Sequence, residues 1–498
     1  MTTTNVSRRT MIGATAGATV LAWLPASRSW ATTLPSDATA MPVPKLRGTL
    51  TTSAVDGYSH DFGGMRTARP YAVLTPAGAD DIAAMIRFAR NRRISVAMNG
   101  QSGETGLLES HSCLGQALTA GGVQINSRGL RTVHSVNTRV ADVDAGVTWA
   151  ELATAAAKVG ARVPALTDYL HLSIGGTVSV GGIGGGVQRF GLQSDLVTWV
   201  EVVTGTGSIV RASATSNKAL FDAVRAGAGQ FGIITRLGIS MAPAEQTATI
   251  TTLYYDDAAT FVADHVALME ADCFDHHAGS LISTDDGKSW AYSIEVGSFH
   301  TAPELPAAPA ALANAKDVRS RRTTASMPYQ SWAFRVDEFA AAMVSSGHWS
   351  GPKPWLNLLV TKEKVVEFLQ YVETQLTPAD FGAGFCIIAP LQEKTLKSPA
   401  FALGNSRSGV HFFFDMLSFP GADAPPVAEA MAKNRRIYDW LVDRGGKRYI
   451  IGAIEMSIGD WMRHFGARYT TLKSLRDRFD PSGILTPGQG MFSRSSAK

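Results

Sequence analysis

The placement of glycine around residue 180 narrows the fold more than any other feature. Between Gly175 and Gly191 the chain reads "GGTVSVGGIGGGVQRFG". Glycine gives up more backbone freedom on folding than any other residue, so a dense run marks tight turns or close approach to something bound. The run fits no phosphate-loop pattern. Its small side chains let the main chain pass beside a flat ligand and offer N–H groups to phosphate oxygens. A surface loop is the plainer alternative, but the flanks "TDYLHLSI" and "FGLQSDLVTWVEVV" are apolar enough to be core. That favours a cofactor-facing loop.

A second motif, "GAGQFG" (Gly227 to Gly232), matches the dinucleotide fingerprint letter for letter. The fingerprint works only after a strand and before a helix. Here "NKALFDAV" reads as a helix before it and "IITRLGISM" as a strand after it. The order argues against a Rossmann NAD(P) site. A third segment, "NGQSG" (Asn99 to Gly103), follows the buried strand "ISVAMN", the usual place for an anion-binding nest. The histidine His111 stands a few residues beyond it, after "ETGLLE".

The rest of the chain falls into two textures. In "ADDIAAMIRFARNRR", Ile82, Met85, Ile86 and Ala89 share one helical face, and "TWAELATAAAKVG" is a helix closed by Gly160. "GGVQINSRGL", "RVADVDAGV" and the pair in "LVTWVEVVTGTGSIVRAS" read as strands, so mixed elements run to about Met241. From about 245, strands ("TATITTLYY", "WAYSIEVGSF", "PWLNLLVT", "GVHFFFDMLSF") alternate with helices ("AATFVADHVALMEA", "KEKVVEFLQYVETQL", "PVAEAMAKNRRIYDWLV"). This predicts an antiparallel sheet with helices on one face, an α+β domain. The 498 residues suit two large domains, one interrupting the other.

The first 31 residues read as an export signal. "SRRTMIG" puts Arg8 and Arg9 ahead of an uncharged run from Thr10 to Ser27, and "SWA" (Ser29 to Ala31) supplies a small-x-small cleavage site. The twin arginine resembles the Tat signal, which exports folded proteins; a Sec signal with two n-region arginines is the alternative. The expected location is periplasmic or extracellular, with no retained membrane anchor. Removal of the segment takes away Arg8, Arg9 and Arg28 and no acid, which lowers the formal charge from +4 to +1. Nothing in that balance favours nucleic acid. Cys113, Cys273 and Cys386 are odd in number and far apart, so neither a disulfide framework nor a metal site is expected.

Together these segments resemble the cytokinin oxidase/dehydrogenase group of FAD-linked oxidases, in the vanillyl-alcohol-oxidase-type (PCMH-type) flavoprotein superfamily. The resemblance runs from about Leu50 to Phe492. It rests on "DFGG", "SHSCLGQALTAGGVQIN", "LTDYLHLSIGGTVS", "DLVTWVEVVTGTGSIV", "LFDAVRAGAGQFGIITR", "YSIE", "PKPWLN", "KNRRI", "DWMRHFG" and "FDPSGILTPGQGMF". It implies a two-part FAD-binding domain (32–244 and 451–498) with an inserted substrate domain (245–450) of antiparallel sheet covered by helices. It also explains "GAGQFGIITR" as a turn at the adenine end.

The resemblance further implies site residues. Asn99, Gly100, Gln101, Ser102 and Gly103, with Ser110, His111, Ser112 and Gln116, would cradle the pyrophosphate, and His111 would carry FAD covalently. Thr167, Asp168, Ser173, Gly176, Ser179, Ile183 and Ile234 match further cofactor positions, and Thr486 and Gln489 would reach back from the tail. This sequence departs from the family's short Arg-Gly-x-Gly-His-Ser stretch by inserting "ETGLLE". Either the insertion bulges and the chain rejoins at His111, or Asn99 to Gly103 cradles phosphate while His111 is displaced. Glu109 beside a pyrophosphate would be repulsive and is expected to point away.

Asp168 in "LTDYL" matches the family's catalytic aspartate, and Glu295 in "YSIE" is matched to its second acid. An amine must shed its positive charge before the neighbouring carbon can release hydride, and a desolvated carboxylate accepting its N–H does that work. Trp355 and Leu166 would contact substrate; Leu166 stands where the family has tryptophan, and Ile451 where it has tyrosine. The implied reaction is oxidation of a C–N bond by hydride transfer to flavin, cleaving the side chain of N6-substituted adenines. Oxygen or a quinone-like acceptor would reoxidise the flavin. The alternatives are an FAD oxidase of another alcohol, sugar or heterocyclic amine, and a flavoprotein-like binding protein without turnover.

Overall fold

Strand Val96–Asn99, predicted from "ISVAMN", is the point where the two ends of the chain meet. In the computed structural model it pairs in parallel with Val123–Asn126, which pairs with Ala72–Thr75, and Thr49–Thr51 completes this sheet in antiparallel sense. On its free edge Val96 exchanges backbone hydrogen bonds with Ile484 and Thr486 (both 2.9 Å), so the tail returns as an added partner. The structure describes residues 20, 22–24, 27, 29–31, 41–53, 55–103, 109–284, 289–301, 310–422 and 424–492. Arg8 and Arg9, and residues 104–108 of the insertion, lie outside them. Ala22–Leu24, Ser29–Ala31 and Met41–Pro42 form a small antiparallel sheet, with Val20 and Trp23 in the same core as Phe88.

Helix Ala79–Arg90 buries Ile82, Met85, Ile86 and Ala89 against that first sheet, the face its spacing predicts. A five-stranded antiparallel sheet follows, in the order Ile209–Ser213, Val197–Val203, Ile233–Ser240, Val140–Asp144, Val133–Val136. Helix Trp149–Ala157 starts at a capping box of Thr148 with Glu151, and Gly160 at φ 65° follows its end. Helix Lys218–Val224 and strand Ile233–Ser240 flank "GAGQFG" in the order that excludes a Rossmann unit.

The glycine run is not one loop. Its first half is the helix Ile174–Val180, and only residues 181–186 are irregular before the short helix Val187–Phe190. A Cβ on Gly175 would stand 2.7 Å from the Ala145 Cβ, so this helix lies flat on its neighbour because glycine permits it. A Cβ on Gly185 would stand 1.9 Å from His276 Nδ1. That glycine therefore lets the first half of the chain dock against the second.

The second half forms an eight-stranded antiparallel sheet. Its order is Thr323–Pro328, Thr247–Tyr255, Trp290–His300, His276–Ser283, Phe385–Gln392, Val410–Leu417, Leu356–Thr361, Lys447–Arg448. Helices Ala258–Glu270, Lys362–Gln375 and Val427–Val442 cover one face, where Phe412, Phe414 and Met416 pack with Phe261, Phe368 and Ile437. Full burial of a Phe side chain contributes about 1.5–3 kcal/mol. The two-residue period of strand Val410–Leu417 sends Phe413, Asp415 and Leu417 to the opposite face, towards the first half of the chain. No helix among the described residues is long and apolar enough to cross a membrane. The architecture is α+β: a first unit completed by the C-terminal tail, joined to an antiparallel sheet backed by helices.

Candidate functional site

The two halves line a cavity of about 320 Å³ that opens to solvent. Its wall carries small and polar groups, among them Gly100, Ser102, Ser110, Ser112, Gln116, Ser173, Gly176, Ser179, Ile183, Gly229, Ile234, Thr486 and Gln489. It also carries the aromatic rings of Phe62, Tyr169, Phe339, Trp349, Trp355, Phe385, Phe413 and Phe419. Asp168 and Asp415 are the acids on the wall, and among the described residues neither Lys nor Arg lines it. Among the described residues no cluster of His, Cys, Asp or Glu could hold a metal ion.

The insertion before His111 is closed at its base. Ser102 N–H donates to the Glu109 carbonyl and Glu109 N–H to the Ser102 carbonyl, each at 2.9 Å. Past this pair the chain reaches His111, which lines the cavity beside Ser102. Its Nδ1 lies 3.2 Å from Ser102 Oγ, while Nε2 is buried without a hydrogen-bond partner. Phe62 of "DFGG" packs edge-on at 4.9 Å, and Asp61 holds that turn by accepting from the Arg66 and Gly115 N–H groups. Burial, with the charges of His171 and Lys353, lowers the His111 pKa to about 3, so the ring is neutral. Glu109 is absent from the wall. Trp349 Nε1 donates to its carboxylate at 2.5 Å, which leaves that group 3.8 Å from His111 Nε2.

The rest of the cradle follows from backbone geometry. Ala228 (φ 53°), Gly229 (φ 70°) and Thr486 (φ 41°) hold left-handed conformations at the wall, and Thr486 Oγ1 donates to the Gly229 carbonyl at 3.0 Å. Gln489 donates to Gln116 at 3.3 Å and so ties the tail to the His111 segment. A wall of small residues, serine hydroxyls and main chain, without a basic side chain, suits a dinucleotide whose phosphates are met by N–H groups. The orphaned His111 Nε2 marks a buried polar group awaiting a neighbour. These residues fit FAD.

Not every predicted residue reaches the wall. Asn99 is fully buried and accepts from Gln101 N–H, Gln101 donates to the Gly57 carbonyl, and Gly103 N–H donates to the His171 carbonyl. These three shape the turn from behind. Leu166 packs into the core, its carbonyl against Gly184, so Thr167, Asp168 and Tyr169 take the wall instead. Ile451 is on the wall, and Tyr449, two residues earlier, accepts from Gly182 N–H at 3.0 Å.

Asp168 and Glu295 differ in position. Asp168 lines the cavity, and Arg335, which the sequence reading missed, donates to its Oδ1 and lies over the Trp332 ring. Glu295 is off the wall. It stands opposite Ala278, which does line the cavity, and its carboxylate turns to His276 Nε2 at 3.0 Å. Burial raises the Glu295 pKa, but contact with His276 and the charge of Arg335 outweigh burial and hold it low. Asp415 was also missed, although a lone acid inside "HFFFDML" is a legible signal. Asn357, its cross-strand partner, donates to its Oδ1.

The family model "Cytokinin dehydrogenase 1, FAD and cytokinin binding" matches residues 281–492, and the "FAD binding domain" model matches 70–213. Cytokinin dehydrogenase 1 of Oryza sativa subsp. japonica is 33% identical over 485 residues, covering 87% of this chain and 89% of that protein. "Uncharacterized oxidoreductase ORF5 in fasciation locus" of Rhodococcoides fascians is 32% identical over 431 residues, 86% of this chain and 95% of that one. Among solved structures, 6-hydroxy-D-nicotine oxidase from Arthrobacter nicotinovorans superposes with a TM-score of 0.67 at 18% identity, covering 88% and 96% of the two chains. With one family model matching each half and relatives at 32–33% identity covering most of its length, the chain belongs to the cytokinin dehydrogenase family of FAD-dependent oxidoreductases.

Proposed function

We propose that the protein oxidises the C–N bond of an N6-substituted adenine, releasing adenine and an aldehyde. FAD, when bound, supplies the acceptor for the hydride. The chain's own residues do the rest. Asp168 accepts the N–H of the substrate amine through the oxygen that Arg335 leaves free, which keeps the nitrogen lone pair available as the adjacent carbon loses hydride. Trp355, Phe413 and Phe419 exclude water and hold the flat ring, and the imine formed is hydrolysed as it meets solvent. The observation that carries this reading is that Asp168 and His111 line one aromatic-walled cavity. The apolar wall weighs against a sugar substrate.

In the same reading His111 carries the flavin covalently, Arg8 and Arg9 direct export by the Tat route, and oxygen or a quinone-like compound reoxidises the enzyme. The neutral His111 ring supports the first of these, since only an unprotonated nitrogen can form the bond. The test is anaerobic reduction of the purified flavoprotein by isopentenyladenine, set against a panel of alcohols and sugars. Bleaching by the adenine derivative alone is the expected result; bleaching only by another class replaces the substrate, and tight binding with no bleaching by any compound indicates a binding protein.

A further inference from the structure

One row of residues crosses the cavity face of the large sheet: Ser280, Ile387, Asp415 and Asn357 are successive cross-strand partners. Asp415 is the acid in that row, 5% exposed, with Phe413 and Leu417 beside it on its own strand and Ile387 opposite on the wall. Its partner is a neutral amide, Asn357, which takes up one oxygen. Asp168 on the facing wall is instead paired with Arg335. Two carboxyl groups sharing a low-dielectric cavity do not both ionise, and the one without a cation keeps the proton. Burial pushes the Asp415 pKa well above the ordinary carboxylate range against the opposing Asn357 hydrogen bond, and the charge of Asp168 pushes it further. The buried cations Lys353 and Arg448 are occupied by main-chain carbonyls, Lys353 by those of His348, Trp349 and Gly351 and Arg448 by those of Gly452 and Ile454.

We propose that Asp415, and not Glu295, is the second acid of the substrate site, donating a hydrogen bond to a ring nitrogen while Asp168 accepts from the amine. The pair of one donor and one acceptor then selects an amine carried on a heteroaromatic ring with an acceptor nitrogen, a pattern an alcohol or an aliphatic amine lacks. A buried carboxylic acid held neutral in an apolar site is an effective donor of this kind. A site built around such a bond rejects ligands lacking the acceptor, because the buried donor is then left unpaired. This assignment deepens the adenine reading above and rests on it for the ring.

The test uses the flavin-loaded full chain with Asp415→Ala and Asp415→Asn. Adenine and its 1-deaza, 3-deaza and 7-deaza analogues are titrated by the change in flavin absorbance, and isopentenyladenine by anaerobic flavin reduction. Asp415→Ala is expected to weaken adenine about 10- to 100-fold, and Asp415→Asn, which keeps a donor, about threefold. One deaza analogue should lose the same factor on the native protein and nothing more on Asp415→Ala. Unchanged adenine affinity in Asp415→Ala, no adenine binding by the native protein, or an equal loss for all three analogues overturns the proposal.

If Asp415→Ala does not hold flavin, infrared difference spectra of the native protein decide. A protonated-carboxyl band, absent from Asp415→Asn, must shift when adenine binds; a band that does not shift overturns the proposal. Failure of isopentenyladenine to reduce the native flavin, with adenine binding still dependent on Asp415, removes the reaction and leaves the assignment standing. Reduction at the native rate in Asp415→Ala does the reverse.

Discussion

Ser102 and Glu109 exchange both of their backbone hydrogen bonds, so the residues between them leave and re-enter the chain at one point. A hydrogen-bonded antiparallel pair brings its Cα atoms to about 5.5 Å, a gap that a two-residue turn closes. Replacing residues 103–108 by Asn-Gly should therefore preserve flavin content and turnover within about threefold. Loss of flavin from this shortened protein would give the insertion a direct part in the cradle.

If His111 tethers the flavin, acid precipitation leaves the native pellet yellow and the supernatant colourless. His111→Ala should release the flavin into the supernatant on the same treatment. A yellow, fluorescent supernatant from the native protein rules the tether out.

The carboxylates should separate by mutation. Asp168→Asn removes the acceptor at the reacting nitrogen and is expected to lower the rate of flavin reduction about 10²- to 10⁴-fold. Arg335→Gln should slow reduction about 10-fold by releasing Asp168, with a larger change in rate than in substrate affinity. Glu295→Gln, off the wall and paired with His276, should cost less than about 10-fold. Rapid-mixing reduction of the three variants orders them, and a Glu295→Gln defect equal to that of Asp168→Asn contradicts the order.

Gly185→Ala places a methyl group into the His276 ring. Overpacking of this kind costs about 1–3 kcal/mol, and here it falls on the contact between the two halves. The melting temperature should fall, and Gly185→Ala combined with His276→Ala should recover part of the loss. No recovery places the strain elsewhere.

Four buried histidines, His111, His265, His277 and His464, have pKa values lowered first of all by burial, to about 3 for His111 and His277. The unfolded chain protonates them near pH 6.5 while the folded one does not, so unfolding takes up protons between those limits. Stability from these groups is complete above pH 6.5 and is lost as the pH falls below it. Asp415 acts in the opposite sense, with Asp61, Glu109, Asp195 and Asp480, because burial raises their pKa and the folded state holds their protons longer, but of these only Asp415 is pushed well above the carboxylate range. The melting temperature should therefore be lower at pH 5 than at pH 7.5; a flat or inverted profile contradicts the assignment.

Four strands and the covering helices of the large sheet were legible from their patterning, as in "TATITTLYY" and "KEKVVEFLQYVETQL", whereas the short edge strands Thr323–Pro328 and Lys447–Arg448 were not. Nor were the central strands His276–Ser283 and Phe385–Gln392. "HHAGSLIS" mixes histidine, glycine and serine with few β-branched residues, and "FCIIAPLQ" is a short apolar run with an internal proline, so neither shows a period to read. The glycine run misled in part, since Gly175 and Gly176 sit in a helix whose close packing, not propensity, selects them. At the site, residues fixed by local motifs (His111, Asp168, Ser173) reached the wall. Arg335 stands just before helix Val336–Ser345 and meets Asp168 from far along the chain, which no local pattern announces, while Asp415, legible as a lone acid in "HFFFDML", reaches the wall through the cross-sheet register.

The pairing of Leu485 with Val96 fixes an order of events. Thr486 and Gln489, which wall the cradle, are made hundreds of residues after Ser102 and His111. The cradle is therefore incomplete throughout most of translation, and a nascent chain has no finished seat for its nucleotide. Cofactor capture belongs to the last moments of synthesis or after release, when both halves have already collapsed. A ribosome stalled before codon 484 would thus display a folded sheet and an open, unladen groove.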